Sequence, residues 1–174
     1  MLPERIKIRH ALPGDVENYR ELRLEALKNH PDAFGMDHAS ALAKEPEYWE
    51  NTLKINPSEK ALFFAVQDEQ LIGMTGIYRE LAPKSKHSAT IWGVYVRPQW
   101  RGNHISESLV SACLQWAKEQ EIVIVKLGVV TGNLPALQSY KRCGFEIYGT
   151  EPKAIFYEGV YYDENLLSIE MRSL

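Results

Sequence analysis

The stretch Val94–Ser106 (VYVRPQWRGNHIS) most constrains the fold, because a run of β-forming residues meets a basic turn and then a helical pattern. Pro98 cannot donate a sheet hydrogen bond, so we expect the strand to end there. The apolar residues that follow recur at helical spacing: Ile105, Leu109, Ala112, Cys113 and Trp116. The free N–H groups of the first helical turn and the positive end of the helix dipole point at the turn. The stretch therefore predicts an anion site, suited to a phosphate.

The turn itself carries residues that fit this role. Arg101 supplies a charged donor fork, and Gly102 allows the backbone to approach a ligand closely. Two well-known phosphate loops do not fit, because the helix starts with His104 where GxxxxGK[ST] requires lysine, and the glycines of GxGxxG are missing. Taken alone, the turn is also compatible with an ordinary surface connection between a strand and a helix.

The remaining pattern predicts a mixed α/β sheet. Residues 5–9 alternate as a strand, Asp15 is placed to cap a helix that ends near Asn29, and a second short helix fits Pro46–Ile55. Further strands are predicted at Ala61–Val66, Leu71–Tyr78, Ala89–Val96 and Ile122–Val130. The last of these is almost wholly apolar, as in a strand covered on both faces. Glu158-Gly159 predicts a final hairpin whose second strand ends the sheet.

Composition narrows the class of protein. The chain has 174 residues, 45% of them hydrophobic and 25% charged, which predicts one domain over residues 1–174. A net charge of −3 argues against nucleic acid as a partner, and no apolar run has the length of a membrane span. The two cysteines and five scattered histidines form no disulfide or metal pattern. We therefore expect a cytoplasmic protein without a metal.

A second motif lies in Asn133–Phe145 (NLPALQSYKRCGF). Asn133 can cap a helix, and Pro135 is tolerated in its first turn. Asn133 and Tyr140 are seven residues apart, which places them on one helix face about 10 Å apart along the axis. Gly144 predicts a left-handed helix end. By itself this pattern also fits a capped helix with a half-buried tyrosine.

Together the two motifs resemble the GNAT superfamily of N-acetyltransferases. The family's acyl-CoA pyrophosphate loop has the pattern [RQ]-x-x-G-x-[GA], and Gln99-x-x-Gly102-x-His104 matches it except at His104. The family's second cofactor motif, N-x-x-A-x-x-x-Y-x-x-x-G-F, is present at every named position from Asn133. The resemblance implies the GNAT fold, a mixed and mostly antiparallel central sheet with a splay between the fourth and fifth strands and helices on both faces.

The resemblance also implies roles for particular residues. The cofactor would be acetyl-CoA, used as a co-substrate and bound by Val94, Tyr95, Val96, Arg101, Gly102, Asn103, His104, Ile105, Ser106, Asn133, Ala136 and Tyr140. Val94 and Val96 would bond the pantetheine arm through the main chain. Tyr140 would be the general acid that protonates the leaving thiolate, since the pKa values of a phenol and a thiol are of similar size.

The general base is harder to assign from the sequence. Thr90 stands where many family members carry a glutamate, and a threonine cannot fill that role. Glu80 and Asp163 are the remaining choices, and an ordered water could relay the proton instead. At the pyrophosphate loop, we expect the side chain of His104 to lean away or to offer a further donor to a phosphate.

The acceptor pocket is expected around Phe34, Trp49, Tyr162 and Asp163, although packing of helices on the sheet would equally explain the first two. The predicted function is transfer of the acetyl group to a primary amine of a small molecule or protein by direct attack in a ternary complex. The alternative is a catalytically idle acyl-CoA sensor or interaction domain. Either a monomer or a homodimer is compatible with the sequence.

Overall fold

A computed structural model of the protein describes residues 5–171. Its strands are β1 (Lys7–His10), β2 (Lys60–Gln67), β3 (Gln70–Arg79), β4 (Ser88–Val96), β5 (Ile124–Val130), β6 (Glu146–Tyr157) and β7 (Val160–Glu170). Its α-helices are α1 (Val16–Asn29), α2 (His38–Leu42), α3 (Pro46–Leu53), α4 (Ile105–Glu119) and α5 (Leu134–Arg142). Every helix and strand predicted from the sequence is found, and α2 is an addition.

One sheet organises these elements. The seven strands lie in the order β1-β2-β3-β4-β5-β7-β6, and β4 and β5 are the parallel pair among antiparallel neighbours. That pair is joined only where Ser88–Thr90 faces Ile124–Lys126, after which the two strands diverge. The mixed sheet and the splay between its fourth and fifth strands are as predicted.

Helices cover both faces, so the chain has two cores. On one face α4 buries Ile105, Leu109 and Val110 against the sheet. On the other, α1 buries Tyr19, Leu22, Ala26 and Leu27, whose spacing forms one helical stripe, and α3 adds Trp49 and Leu53. The sheet is thus packed between two layers of helices. Where β4 and β5 diverge, no strand pairing among the described residues closes the gap between them.

Two predictions need correction. The last strand does not end the sheet, because β7 lies between β5 and β6 and β6 forms the edge. The reason is burial: Leu167 of β7 is fully buried, whereas β6 exposes Ile147, Tyr148 and Phe156. Asp15 does not cap α1 with its side chain. Its carboxylate instead accepts hydrogen bonds from the backbone N–H of Leu12 at 2.7 Å and from Arg9.

Candidate active site

The divergence of β4 and β5 opens a long groove at the centre of the sheet. From Ile91 to Val96, β4 has no partner strand on its β5 side among the described residues. The groove has a volume of about 950 Å³ and is lined along its length by Ile91–Val96 and Leu127–Asn133. Backbone donors and acceptors of β4 therefore face an open channel, where an extended polar ligand can replace the missing strand.

A bulge in β4 shapes the start of this groove. Met74 of β3 pairs with Tyr95, whereas Gly76 pairs with Trp92, so β4 carries one extra residue between these pairs. Gly93 lies in the bulge with a φ of +66°. A bulge bends its strand and increases the local twist, which is a physical reason for the divergence of β4 from β5.

The turn before α4 has an accessible backbone and two residues in the left-handed conformation. Gly102 has a φ of +82°, and no atom lies within 4 Å of the position of an added Cβ, so the backbone is accessible there. His104 also adopts a left-handed conformation, with φ +56° and ψ +26°. Glycine reaches this conformation without the steric cost that a Cβ brings, so His104 bears a strain that glycine would not.

Side chains of the turn are held by contacts with their neighbours. Arg101 donates from Nε to the carbonyl of Val96 at 3.0 Å, and its Nη2 lies 2.9 Å from Nε2 of His30. Burial lowers the pKa of His30, and the positive charge of Arg101 lowers it further. The imidazole of His104 turns away from the backbone to Glu107, with 3.2 Å between Nδ1 and Oε1. The first residues of α4, Ile105 and Ser106, line the groove.

Glu107, in the first turn of α4, places a carboxylate at the wall of the groove. Burial opposes its ionisation, but hydrogen bonds from Arg142, its own backbone, Ser106 and His104 outweigh that effect and lower the pKa to about 2. Arg142 donates to Oε1 from Nε at 2.9 Å and from Nη2 at 2.5 Å. Glu107 thus joins α4 to α5 and limits the local positive charge.

This pairing predicts a pH-dependent contribution to stability. Because the pKa is lower in the folded protein, the stabilisation is present above the ordinary glutamate pKa and is lost as the pH falls toward about 2. We expect Glu107→Gln to cost about 1 kcal/mol at pH 7, since Arg142 is half exposed, and almost nothing near pH 2. Urea unfolding at several pH values measures this difference.

The matched control is Glu119→Gln on the same helix, whose carboxylate accepts from Gln115 rather than from an arginine. A cost of Glu107→Gln that stays constant from pH 7 to pH 3 would contradict the expected linkage.

The second motif folds as expected and meets the turn across the groove. The side chain of Asn133 accepts from the backbone N–H of Ala136 at 3.3 Å and caps α5, and Gly144 has a φ of +93° at the end of that helix. Tyr140 is 7% exposed and packs edge-on against Phe145. Burial raises the pKa of Tyr140, and the neighbouring thiols of Cys143 and Cys113 raise it further. Its phenol is therefore protonated at neutral pH.

Most residues predicted for the site line the groove. They are Phe34, Val94, Tyr95, Val96, Arg101, Gly102, His104, Ile105, Ser106, Asn133, Ala136, Tyr140, Tyr162 and Asp163. The aromatic ring of Tyr95 points to the other face of the sheet, where its hydroxyl donates to Glu25 at 2.9 Å. Any contact of Tyr95 with a ligand in the groove would therefore use its main chain.

Three predicted residues lie elsewhere. Asn103 does not line the groove, because its amide donates back to the carbonyl of Trp100 at 3.1 Å. Glu80 lies at the paired end of β4, where it accepts a hydrogen bond from Thr90 at 3.2 Å. Trp49 is 1% exposed and lines a second, smaller cavity. These three were placed by sequence position, and their contacts within the fold direct them away from the groove.

The smaller cavity has a volume of about 420 Å³, and its lining consists of Tyr19, Arg23, Met36, Tyr48, Trp49, Thr52, Lys60, Tyr78 and Trp92. Trp92 also lines the groove, so the two spaces share a wall. Arg23 is not among the residues that the sequence motifs predict. Its position four residues after Tyr19 places a charge on the apolar face of α1, and a buried charge is the informative exception to an apolar stripe.

Two kinds of feature are absent from residues 5–171. None of the helices in this range is both long and apolar enough to cross a membrane. Within the same range, no three His, Cys, Asp or Glu side chains are grouped so that they could hold a metal ion.

Comparison of the sequence with known protein families identifies the family of this chain. Residues 21–145 match the acetyltransferase (GNAT) family, and this match covers more than half of the chain. The chain belongs to the GNAT family. It is accordingly an acetyl-CoA-dependent acyltransferase, and the family, the fold and the enzyme class predicted from the two motifs are all confirmed.

Individual relatives agree with this assignment. The chain is 28% identical to the L-amino acid N-acetyltransferase AaaT of Escherichia coli (strain K12) over 91% of this chain and 93% of that protein. It is 25% identical to a mycothiol acetyltransferase of Brachybacterium faecium over 79% of this chain, which spans only 39% of that protein. The structure of yncA from Salmonella typhimurium with its cofactor acetyl-CoA has the same fold, with a TM-score of 0.85, 15% identity and coverage of 97% of this chain and 95% of that chain.

Proposed function

We propose that this GNAT protein transfers the acetyl group of acetyl-CoA to a primary amine by direct attack in a ternary complex. The observation that carries the proposal is the groove, whose lining combines the unpaired segment of β4, the amino end of α4 and Tyr140. Holding two reactants in line within such a space can account for much of the rate of a transfer reaction.

The residues present fit acetyl-CoA. The main chain of Val94 and Val96 would bond the pantetheine arm, because this edge of β4 has no strand partner on its β5 side among the described residues. The backbone of the turn from Arg101 to Ser106 would bind the pyrophosphate at the amino end of α4, apart from Asn103, which does not line the groove. Asn133 and Ala136 would line the arm where β5 leads into α5.

Two proton transfers accompany the reaction. Tyr140 is the proposed general acid, since its protonated phenol lies in the wall of the groove. For deprotonation of the amine, Asp163 lines the groove and Glu80 does not, so we propose Asp163, acting directly or through a water. Oδ1 of Asp163 accepts from the backbone N–H of Lys153 at 2.8 Å, which orients the carboxylate.

Thermal unfolding with acetyl-CoA tests the cofactor site. A ligand at a hundred times its Kd stabilises the folded state by about 2.7 kcal/mol, which for a chain of this size is a Tm rise of roughly 5–10 °C. We expect this rise with acetyl-CoA and CoA but not with ATP. No rise at millimolar acetyl-CoA would mean that His104 and Glu107 close the pyrophosphate site.

Measurement of turnover distinguishes the proposed enzyme from the alternative, a catalytically idle acyl-CoA sensor. An enzyme releases the CoA thiol when an amine is added, at a rate that depends on the concentration of the amine, and a sensor does not. A clear thermal shift without thiol release by any of a broad set of amines would favour the sensor. The named relatives act on different acceptors, so their names leave the acceptor of this protein open.

A further inference from the structure

Arg23 is a buried cation in an aromatic setting. It lies on the sheet-facing side of α1 and is only 8% exposed. The guanidinium carbon is 5.0 Å from the ring centre of Phe34 and 5.7 Å from that of Trp92. Its burial lowers the pKa of the guanidinium by desolvation, an effect that the phenols of Tyr19 and Tyr48 partly offset. An arginine nevertheless keeps its charge in a protein, so the cost of burying that charge calls for a counter-charge.

Within the part of the chain that the structure describes, no atom accepts a hydrogen bond from Nη1 of Arg23 or from Nε1 of Trp49. Both nitrogens are buried, and both residues line the smaller cavity. Buried polar atoms in folded proteins nearly always have partners, so two unpartnered donors in one cavity require an explanation. Guanidinium and indole nitrogens can only donate, and the missing group must therefore be an acceptor.

The charged residues that line the cavity indicate which chemical group is the missing hydrogen-bond acceptor. Its lining includes two cations, Arg23 and Lys60, and no carboxylate among the described residues. The planar guanidinium presents a fork of N–H groups that matches the two oxygens of a carboxylate. The rest of the lining is mostly aromatic or apolar, with Met36, Tyr48 and Trp92 beside the cations. A carboxylate attached to an apolar side chain suits this combination.

The cavity is also next to the reaction site. Trp92 forms a wall of both spaces, and Nη1 of Arg23 is 3.4 Å from the position that a Cβ on Gly93 would occupy. Gly93 lies in the bulge where β4 leaves β5. A ligand anchored at Arg23 is thus held against the strand segment along which, under the proposed function, the acetyl donor binds.

We propose that the acceptor is a small amine that carries a carboxylate, and that Arg23 and Trp49 bind this carboxylate in the smaller cavity. The proposal rests on the proposed acetyltransferase function for the fate of the amine, but not for the binding of the carboxylate. Arg23 would be a binding and specificity residue. The competing explanation is that Arg23 only packs against the rings of Phe34 and Trp92.

Binding to the CoA complex of the full chain tests the proposal without turnover. Isothermal titration calorimetry compares L-leucine with L-leucinamide and 3-methylbutylamine, which keep the amine and side chain but lack the carboxylate. We expect leucine to bind about 10- to 100-fold more tightly than either analogue, the range of a hydrogen-bonded ion pair. Arg23→Gln should abolish this preference, whereas Arg20→Gln, on the same helix but in neither cavity, should preserve it.

Several outcomes overturn the proposal: leucine that does not bind, analogues that bind as tightly as leucine, or an Arg23→Gln protein that weakens all three ligands equally. If Arg23→Gln does not fold, Trp49→Phe keeps a smaller aromatic ring, removes the N–H donor and should weaken leucine more than the two analogues. Thiol release separates the two proposals. Binding of leucine through Arg23 without thiol release refutes only the proposed function, and equal acetylation of the three amines refutes only the carboxylate site.

Discussion

Tyr140→Phe is expected to lower kcat about 100-fold and to leave the affinity for acetyl-CoA unchanged. General acid catalysis contributes about 10²- to 10⁴-fold, and the lower end applies here because burial raises the pKa of the phenol. A donor with a raised pKa is fully protonated at neutral pH but gives up its proton less readily. Phenylalanine keeps the edge-on packing against Phe145 and removes only the hydroxyl.

The measurement is the initial rate of thiol release at saturating amine, with acetyl-CoA affinity taken from thermal unfolding. Tyr148→Phe is the matched control, because that side chain is 57% exposed on the edge strand and lines neither cavity. Unchanged turnover in Tyr140→Phe would show that the thiolate leaves without this acid. Reduced affinity with unchanged kcat would instead make the phenol a binding group.

Gly76→Ala is expected to destabilise the protein by about 1–3 kcal/mol, the usual cost of forcing extra atoms into a packed site. A Cβ on Gly76 would lie 2.4–2.5 Å from three ring atoms of Trp92, closer than carbon atoms can approach. Since Trp92 is a wall of both cavities, the ring could only move at the expense of the site. Urea unfolding measures the loss of stability.

A double-mutant cycle assigns that cost to the ring. In a Trp92→Leu background the clashing atoms are gone, and we expect Gly76→Ala to cost less than about 0.5 kcal/mol. Gly149→Ala is the control within a strand, because no atom lies within 4 Å of the added Cβ. If Gly76→Ala lowers the free energy of unfolding equally with and without Trp92, the destabilisation originates in the backbone of β3 and not in the ring.

Much of the site could be predicted from short stretches of sequence. The turn from Arg101 to Ser106 combines a glycine with the start of an apolar helical period, and the helix from Asn133 to Gly144 combines a cap, a terminal glycine and an apolar period. Such signals depend on neighbours along the chain, so they are visible in one sequence. Asn103 is the exception within the turn, since the direction of its amide depends on the carbonyl of Trp100.

The smaller cavity as a whole could not be predicted in the same way. Arg23, Trp49 and Trp92 belong to α1, α3 and β4, and they meet only because both helices pack on the same face of the sheet. Trp49 and Glu80 lie outside the groove for the same reason, and the order of β6 and β7 also has this origin. Each of these features depends on which apolar surfaces of the helices and strands pack against one another in the folded protein.

The sequence by itself determined the GNAT family, the helices and strands, and the position of the cofactor motifs, because hydrogen bonding and capping within a helix or turn are local. Only the tertiary structure decided that Arg23 and Trp49, each with a buried donor that has no partner among the described residues, line one cavity and that Glu107 is bound by Arg142. These arrangements follow from packing between segments distant in the chain, where the gain from burying apolar surface sets the geometry and the polar groups must adapt to it.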